Sequence, residues 1–247
     1  MILAGGTLPI RWWLVRRRAA LHMMLVAGCL GLLSGVALGA PPATKAARAL
    51  YLDHLSKGRD AEALALLGTV IGVDEPGNCG ARPLHEAAFT QRRTVVEALL
   101  KRGANPNAAR CKGWTPIMDA SGSINSGADI VSMLIAKGAR LDAQRFDGKT
   151  ALHLATEQWN RTVVLMLLDA KADPNLRDTS GRTPLFYARD GATARMLVDA
   201  GADFSLRDKQ GRAPYDVVRE TEVERMGDGP LRDAASDYLK SIGAPSR

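Results

Sequence analysis

Aromatic residues make up only 5% of this 247-residue chain, and it holds just four histidines and three cysteines. That scarcity leaves little from which to assemble a metal centre or an activated nucleophile. The deficit does not extend to apolar residues in general. They form 46% of the chain, charged residues 24%, and mean hydropathy is -0.09, which excludes wholesale disorder and a polytopic membrane protein. Charge of one sign is also scarcer than the formal +7 suggests. Arg11, Arg16, Arg17 and Arg18 stand in the first 39 residues with no acid beside them, and the rest holds 29 Lys and Arg against 26 Asp and Glu. A net +3 over the remainder is too small an excess to argue for nucleic acid.

No charged residue interrupts the run from Ala19 to Ala40, which follows Arg16 to Arg18 and ends in small residues before Pro41 and Pro42. Basic flank, apolar core and small residues at the end form a secretory signal, with cleavage expected near Gly39 or Ala40. Other readings stay open. The run is long enough for an uncleaved membrane anchor of ~20 residues, Val26-Ala27-Gly28-Cys29 resembles a lipidation site, and Arg17-Arg18 resembles a twin-arginine signal. The main readings place the folded part outside the cytoplasm, in the bacterial periplasm, and a membrane is involved only if the N-terminal helix is retained.

Beyond this segment the chain repeats. Arg82-Pro83-Leu84-His85-Glu86-Ala87, Thr115-Pro116-Ile117-Met118-Asp119-Ala120, Thr150-Ala151-Leu152-His153-Leu154-Ala155, Thr183-Pro184-Leu185-Phe186-Tyr187-Ala188 and Ala213-Pro214-Tyr215-Asp216 recur at spacings of 33, 35, 33 and 30. A second ladder lies between them: Gly103-Ala104-Asn105-Pro106-Asn107, Gly138-Ala139-Arg140-Leu141-Asp142, Lys171-Ala172-Asp173-Pro174-Asn175 and Gly201-Ala202-Asp203-Phe204-Ser205. Thr before Pro suits a cap followed by the first residue of a helix. Apolar segments such as Val95 to Leu100 and Val163 to Leu168 supply a second helix, ended by Gly103 or its equivalents. Helical hairpins of this size cannot bury their apolar faces alone, so they are expected to stack around one shared core.

These motifs resemble the ankyrin repeat family, whose unit carries Thr-Pro-Leu-His-x-Ala at its first helix and Gly-Ala-Asp-x-Asn after its second. The resemblance spans roughly Ala46 to Gly243. It implies an all-α solenoid of stacked helix-turn-helix units with β-hairpin fingers, about six units counting caps. The expected organisation is a signal over 1–39, an N-terminal capping repeat over 40–77, central repeats over 78–110, 111–145, 146–178 and 179–208, and a C-terminal capping repeat and tail over 209–247. Leu50 to Leu55 and Ala61 to Leu67 read as the first capping pair. Tyr215 to Val218 and Leu231 to Ile242 read as the last, separated by a polar link from Glu220 to Pro230. Repeat two is longer by two residues around Gly122 to Gly127 and repeat four shorter by three around Gly191, both at the turn between helices.

Apparent chemistry dissolves on inspection. Gly148-Lys149-Thr150 ends like a phosphate-binding loop, but position 143, where that loop needs glycine, is alanine. His85-Glu86 begins like a zinc-protease helix, yet the second ligand position is Phe89. His85 and His153 fit a local structural bond, and no Ser, Cys or Lys stands in a nucleophile context. Neither an enzyme, a cofactor, a metal nor a small-molecule substrate is expected. Cys79 and Cys111 are the thiols past the signal, on neighbouring fingers one position out of register, since Cys79 aligns with Lys112. An even count in an oxidising compartment favours a disulfide. A spacing of ~10 Å between stacked layers opposes it, and the residues alone leave the pairing open.

The resemblance also implies that a partner sits on the concave surface made by fingers and first helices. Trp114 and Phe146 fall on successive fingers, Phe89 past the Ala87-Ala88 of a first helix, and Trp159 in the turn after another. Lys149, Arg182 and Arg212 recur at one finger position as a basic stripe, with Lys112 nearby. Aromatic anchors framed by polar residues suit a binding hot spot. The expectation is a monomeric, non-catalytic module holding a protein partner, as an inhibitor or an accessory factor. The alternative is a membrane-tethered scaffold.

Overall fold

The computed structural model describes residues 42–123, 127–226 and 234–245. The expected signal segment lies outside the described residues. Eleven α-helices are present among the described residues: α1 Pro42–Ser56, α2 Asp60–Leu66, α3 Pro83–Phe89, α4 Arg93–Lys101, α5 Pro116–Ser121, α6 Ala128–Ala136, α7 Ala151–Glu157, α8 Arg161–Asp169, α9 Gly191–Asp199, α10 Pro214–Met226 and α11 Ala235–Ser241.

Each motif proline opens its helix where the missing N–H has no intrahelical partner to lose. Pairs run α3 with α4, α5 with α6 and α7 with α8, and neighbours then stack as two layers. First helices follow the order α3, α5, α7, the turn at Pro184–Tyr187, then α10, while second helices follow α2, α4, α6, α8, α9 and α11. In α4 the buried residues are Val95, Val96, Leu99 and Leu100, one stripe at helical spacing. The corresponding stripe of α8 is Val163, Val164, Leu167 and Leu168. The result is one continuous apolar cluster from Tyr51 to Leu239 within the unit Ala47–Arg247. A fully buried leucine such as Leu152 contributes ~1.5–3 kcal/mol by transfer from water, and truncating it to alanine costs ~2–5 kcal/mol.

Four details differ from the sequence expectation. The fingers are not paired strands: among the described residues only isolated bridges occur, as at Arg110 and Trp114. Each finger is a tight turn closed by a pair of backbone bonds: Gly77 donates to Ala81, Arg110 to Trp114, Arg145 to Lys149, Asp178 to Arg182 and Asp208 to Arg212 at 2.7–3.1 Å, and the glycine three residues on donates back to the first of each pair at 2.8–3.1 Å. In repeat four the three missing residues come out of the first helix, not the turn after it. Pro184–Tyr187 is a single 3-10 turn, and Asp190 immediately caps α9 by accepting from the Thr193 amide at 2.8 Å. The polar link after Val218 is helical over its first part, because α10 continues to Met226, and its remainder lies outside the described residues. Finally, Thr150 caps α7, but the Thr115 and Thr183 hydroxyls have no partner among the described residues. Thr150 has a histidine three residues on to complete the cap, whereas three residues after Thr115 and Thr183 stand Met118 and Phe186.

Both motif histidines tie one repeat to the next. His85 Nδ1 accepts the Arg82 amide at 3.1 Å while Nε2 bonds the Trp114 carbonyl at 3.3 Å. His153 repeats this with Thr150 and the Arg182 carbonyl, at 3.2 and 3.1 Å. A carbonyl only accepts, so Nε2 carries the proton and each ring is neutral. The second ladder staples repeats in the same way. Asp74 accepts from the Asn105 amide, Asn107 from Arg140, Asp142 from Asp173 and Asn175 from Asp203, at 2.7–3.1 Å.

Candidate functional site

Finger tips meet through a bond that also recurs. Phe146 donates its amide to the Lys112 carbonyl, Thr179 to Asp147 and Lys209 to Ser180, at 2.8–2.9 Å. At the first pair of fingers the same two register positions hold Cys79 and Cys111, and these form a disulfide with Cα atoms 5.0 Å apart. The offset of one residue between the cysteines is therefore the offset of every tip-to-tip bond. Helix layers stand ~10 Å apart, but the fingers approach far closer, so the objection from layer spacing does not apply to them. Close approach also excludes a side chain at one tip glycine: a Cβ on Gly148 would lie 2.8 Å from the Asp178 Cα.

The expected binding residues separate into two groups. Phe89 and Phe146 are 64% and 62% exposed, and Trp159 is 46% exposed in a left-handed turn at φ 59°. Trp114 is half-buried instead. Its ring lies between the Arg110 and Arg145 guanidinium groups, at 4.9 and 4.5 Å, and packs on the core. The cationic stripe is internally paired. Lys149 bonds Glu157 at 2.9 Å and covers the Tyr187 ring, Arg182 bonds Asp208 at 3.3 Å, and Arg212 bonds both Asp208 and Glu220 at 3.0 Å. Lys112, by contrast, is exposed and stands 4.9 Å over the Phe146 ring.

A cleft of about 200 Å³ opens beside α3, with Leu52, Ala81 and Phe89 on its walls and Glu86, Arg110 and Asp119 among its lining residues. Sequence reasoning missed it because Leu52 belongs to the degenerate first pair, which carries no motif to set its register. Glu86 and Asp119 occupy the same position on successive first helices. Arg48 binds Glu86 Oε1 at 3.0 Å, and Arg110 grips both oxygens of Asp119 at 2.7 and 3.2 Å. Burial nevertheless raises the Glu86 carboxyl to about 7 and that of Asp119 to about 6. Glu86 Oε2 has no partner among the described residues. The same desolvation lowers His85 to about 4 and shifts His153 downward. The histidines are held in structural bonds, and among the described residues no group of three or more His, Cys, Asp or Glu could hold a metal ion. No described helix is long and apolar enough to cross a membrane.

The family model for ankyrin repeats (3 copies) matches residues 55–145 and 122–208. Curated relatives include ankyrin repeat and SOCS box protein 3 of Bos taurus and of Homo sapiens, each 36% identical over 95 residues, 37% of this chain and 18% of the relative. B-cell lymphoma 3 protein homolog of Mus musculus is 34% identical over 111 residues, 44% of this chain and 24% of the relative. The chain thus matches about a fifth to a quarter of the length of these relatives. With the family model matched over more than half its length, the chain belongs to the ankyrin repeat family.

Proposed function

We propose that the folded repeats act in the bacterial periplasm as a non-catalytic module that holds one protein partner, either inhibiting it as an immunity-type protein or supporting it as an accessory factor. Ankyrin repeats indicate protein-protein interaction. The observation that carries the extracytoplasmic reading is the Cys79–Cys111 disulfide, since exposed cysteines persist as a disulfide in an oxidising compartment and are kept reduced in the cytosol. The basic flank and uncharged apolar run over 16–40 support the same reading. Exposed Phe89 and Phe146, on surfaces the stack leaves uncovered, supply apolar anchors of the kind that dominate interfaces.

The test is affinity purification of the C-terminally tagged chain from the envelope fraction, beside a Phe89→Ala/Phe146→Ala variant, with intact mass read on the same samples. A stoichiometric protein recovered with the parent chain and lost from the variant supports the module. Recovery of the same proteins with both, or none with either, removes the aromatic anchors from the reading. The length of the apolar run favours one alternative, a scaffold tethered to the inner membrane. A mass that includes residues 1–39 selects the tether; a mass beginning near Ala40 rejects it.

A further inference from the structure

Fingers two to five, residues 109–114, 144–149, 177–182 and 207–212, together hold nine Lys and Arg against three Asp. The first finger, 76–81, has no charge. From residue 40 onward the chain has 29 cations and 26 anions, so outside these four fingers 20 cations face 23 anions. The basic excess of the folded part is therefore concentrated on one edge, and the remainder is mildly acidic.

Five of the nine cations are paired, namely Arg110, Arg145, Lys149, Arg182 and Arg212. The other four, Lys112, Arg177, Arg207 and Lys209, are exposed and have no carboxylate at ion-pair distance among the described residues. Two of them are held in place by neutral acceptors. Arg177 donates to the Gly181 carbonyl at 2.9 Å and to that of Arg207, and Arg207 donates to Gly211 at 2.9 Å. Lys112 rests on the face of exposed Phe146. The tip-to-tip bonds described above set the spacing between these groups.

We propose that this fingertip edge docks an acidic protein surface, with Lys112, Arg177, Arg207 and Lys209 facing its carboxylates and Phe146 taking an apolar side chain set among them. The proposal rests on the protein-binding reading and specifies the partner's chemistry and the edge it uses. Charge complementarity carries it: cations without an internal carboxylate attract acids and steer their approach. A nucleic acid fits less well. Asp147, Asp178 and Asp208 lie on the same fingers, and Phe146, the exposed phenylalanine of these fingers, offers one stacking surface where strand binding uses several.

Fluorescence anisotropy on the full purified chain tests this with four labelled probes: decaglutamate, a glutamate decamer with two central leucines, decalysine and a 20-nucleotide oligothymidylate. Both glutamate peptides should bind at low salt and lose about tenfold or more in affinity at physiological salt. Lys112→Glu with Lys209→Glu, checked by an unchanged thermal midpoint, should lose about tenfold or more for both peptides. Phe146→Ser should weaken only the leucine-bearing one. Unchanged peptide binding by the charge-reversed variant overturns the proposal, as does tighter binding of oligothymidylate or of decalysine. If a partner recovered from the envelope is held equally by the charge-reversed variant, the module stands and the acidic edge falls. If no partner is recovered and no acidic peptide binds, both fall.

Discussion

A neutral imidazole accepts at Nδ1 while donating at Nε2, whereas an imidazolium can only donate, so protonating His85 or His153 breaks the link to its own helix start. In an unfolded chain such a ring takes a proton near pH 6.5, but in the folded protein His85 does so near 4. Between those values the unfolded state binds more protons. The contribution of His85 is therefore complete above pH 6.5 and declines as pH falls towards 4. Glu86 and Asp119 have the opposite sign, because their raised values let the folded state take protons first as pH falls below about 7. Chemical denaturation of His85→Gln should show a penalty of about 1–3 kcal/mol at neutral pH that shrinks towards pH 4; a penalty constant with pH would disprove the linkage. A second prediction concerns Lys171, which stands where the other motif units have glycine and adopts φ 70°. Lys171→Gly should raise the free energy of unfolding by about 1 kcal/mol, read in a denaturant titration, by relieving that left-handed conformation.

At the scale of elements, the finger is the part least visible in the sequence. Its periodicity is one turn per repeat, too short for an alternating pattern to separate a strand pair from a tight turn closed by two backbone bonds. The helices were legible because two ladders with a common spacing marked both ends of every unit, and the Asn and Asp of the second ladder now have a concrete job as inter-repeat acceptors. What the ladders could not reveal was how a deletion is absorbed. Repeat four loses most of its first helix because Asp190 and buried Gly191 begin the second one directly. Nor could register alone show that Lys149, Arg182 and Arg212 have acids within reach, since Glu157, Asp208 and Glu220 lie 8, 26 and 8 residues away from their partners. Two glycine substitutions separate backbone conformation from crowding. Gly103→Ala places a side chain at φ 85° with nothing within 4 Å and should cost about 1–2 kcal/mol. Gly148→Ala combines φ 79° with a clash against the Asp178 backbone and should cost more. Equal penalties in denaturant titrations would mean that the fingers yield without resistance.

The molecule as a whole is joined through neighbours: a histidine or an Asn/Asp acceptor staples each repeat to the next as far as 179–208, the last junction carries the bond from the Lys209 amide to the Ser180 carbonyl, and none of these bonds skips a unit. Stability in this kind of array is a sum of local interfaces, so damage at one junction is felt mainly beside it. The first finger junction is the exception in kind, being covalent. Cys79→Ser with Cys111→Ser should lower stability by about 2–4 kcal/mol, read as a reduced denaturation midpoint that dithiothreitol reproduces in the parent chain. The disulfide also has a mechanical consequence. If the two ends of the chain are pulled apart, repeats two to five can peel off and lengthen the tether one after another, but the 32-residue interval between Cys79 and Cys111 stays hidden from the force. Reducing that bond should release about 110 Å of extra contour length, a step that a single-molecule trace would record only after the thiols are freed.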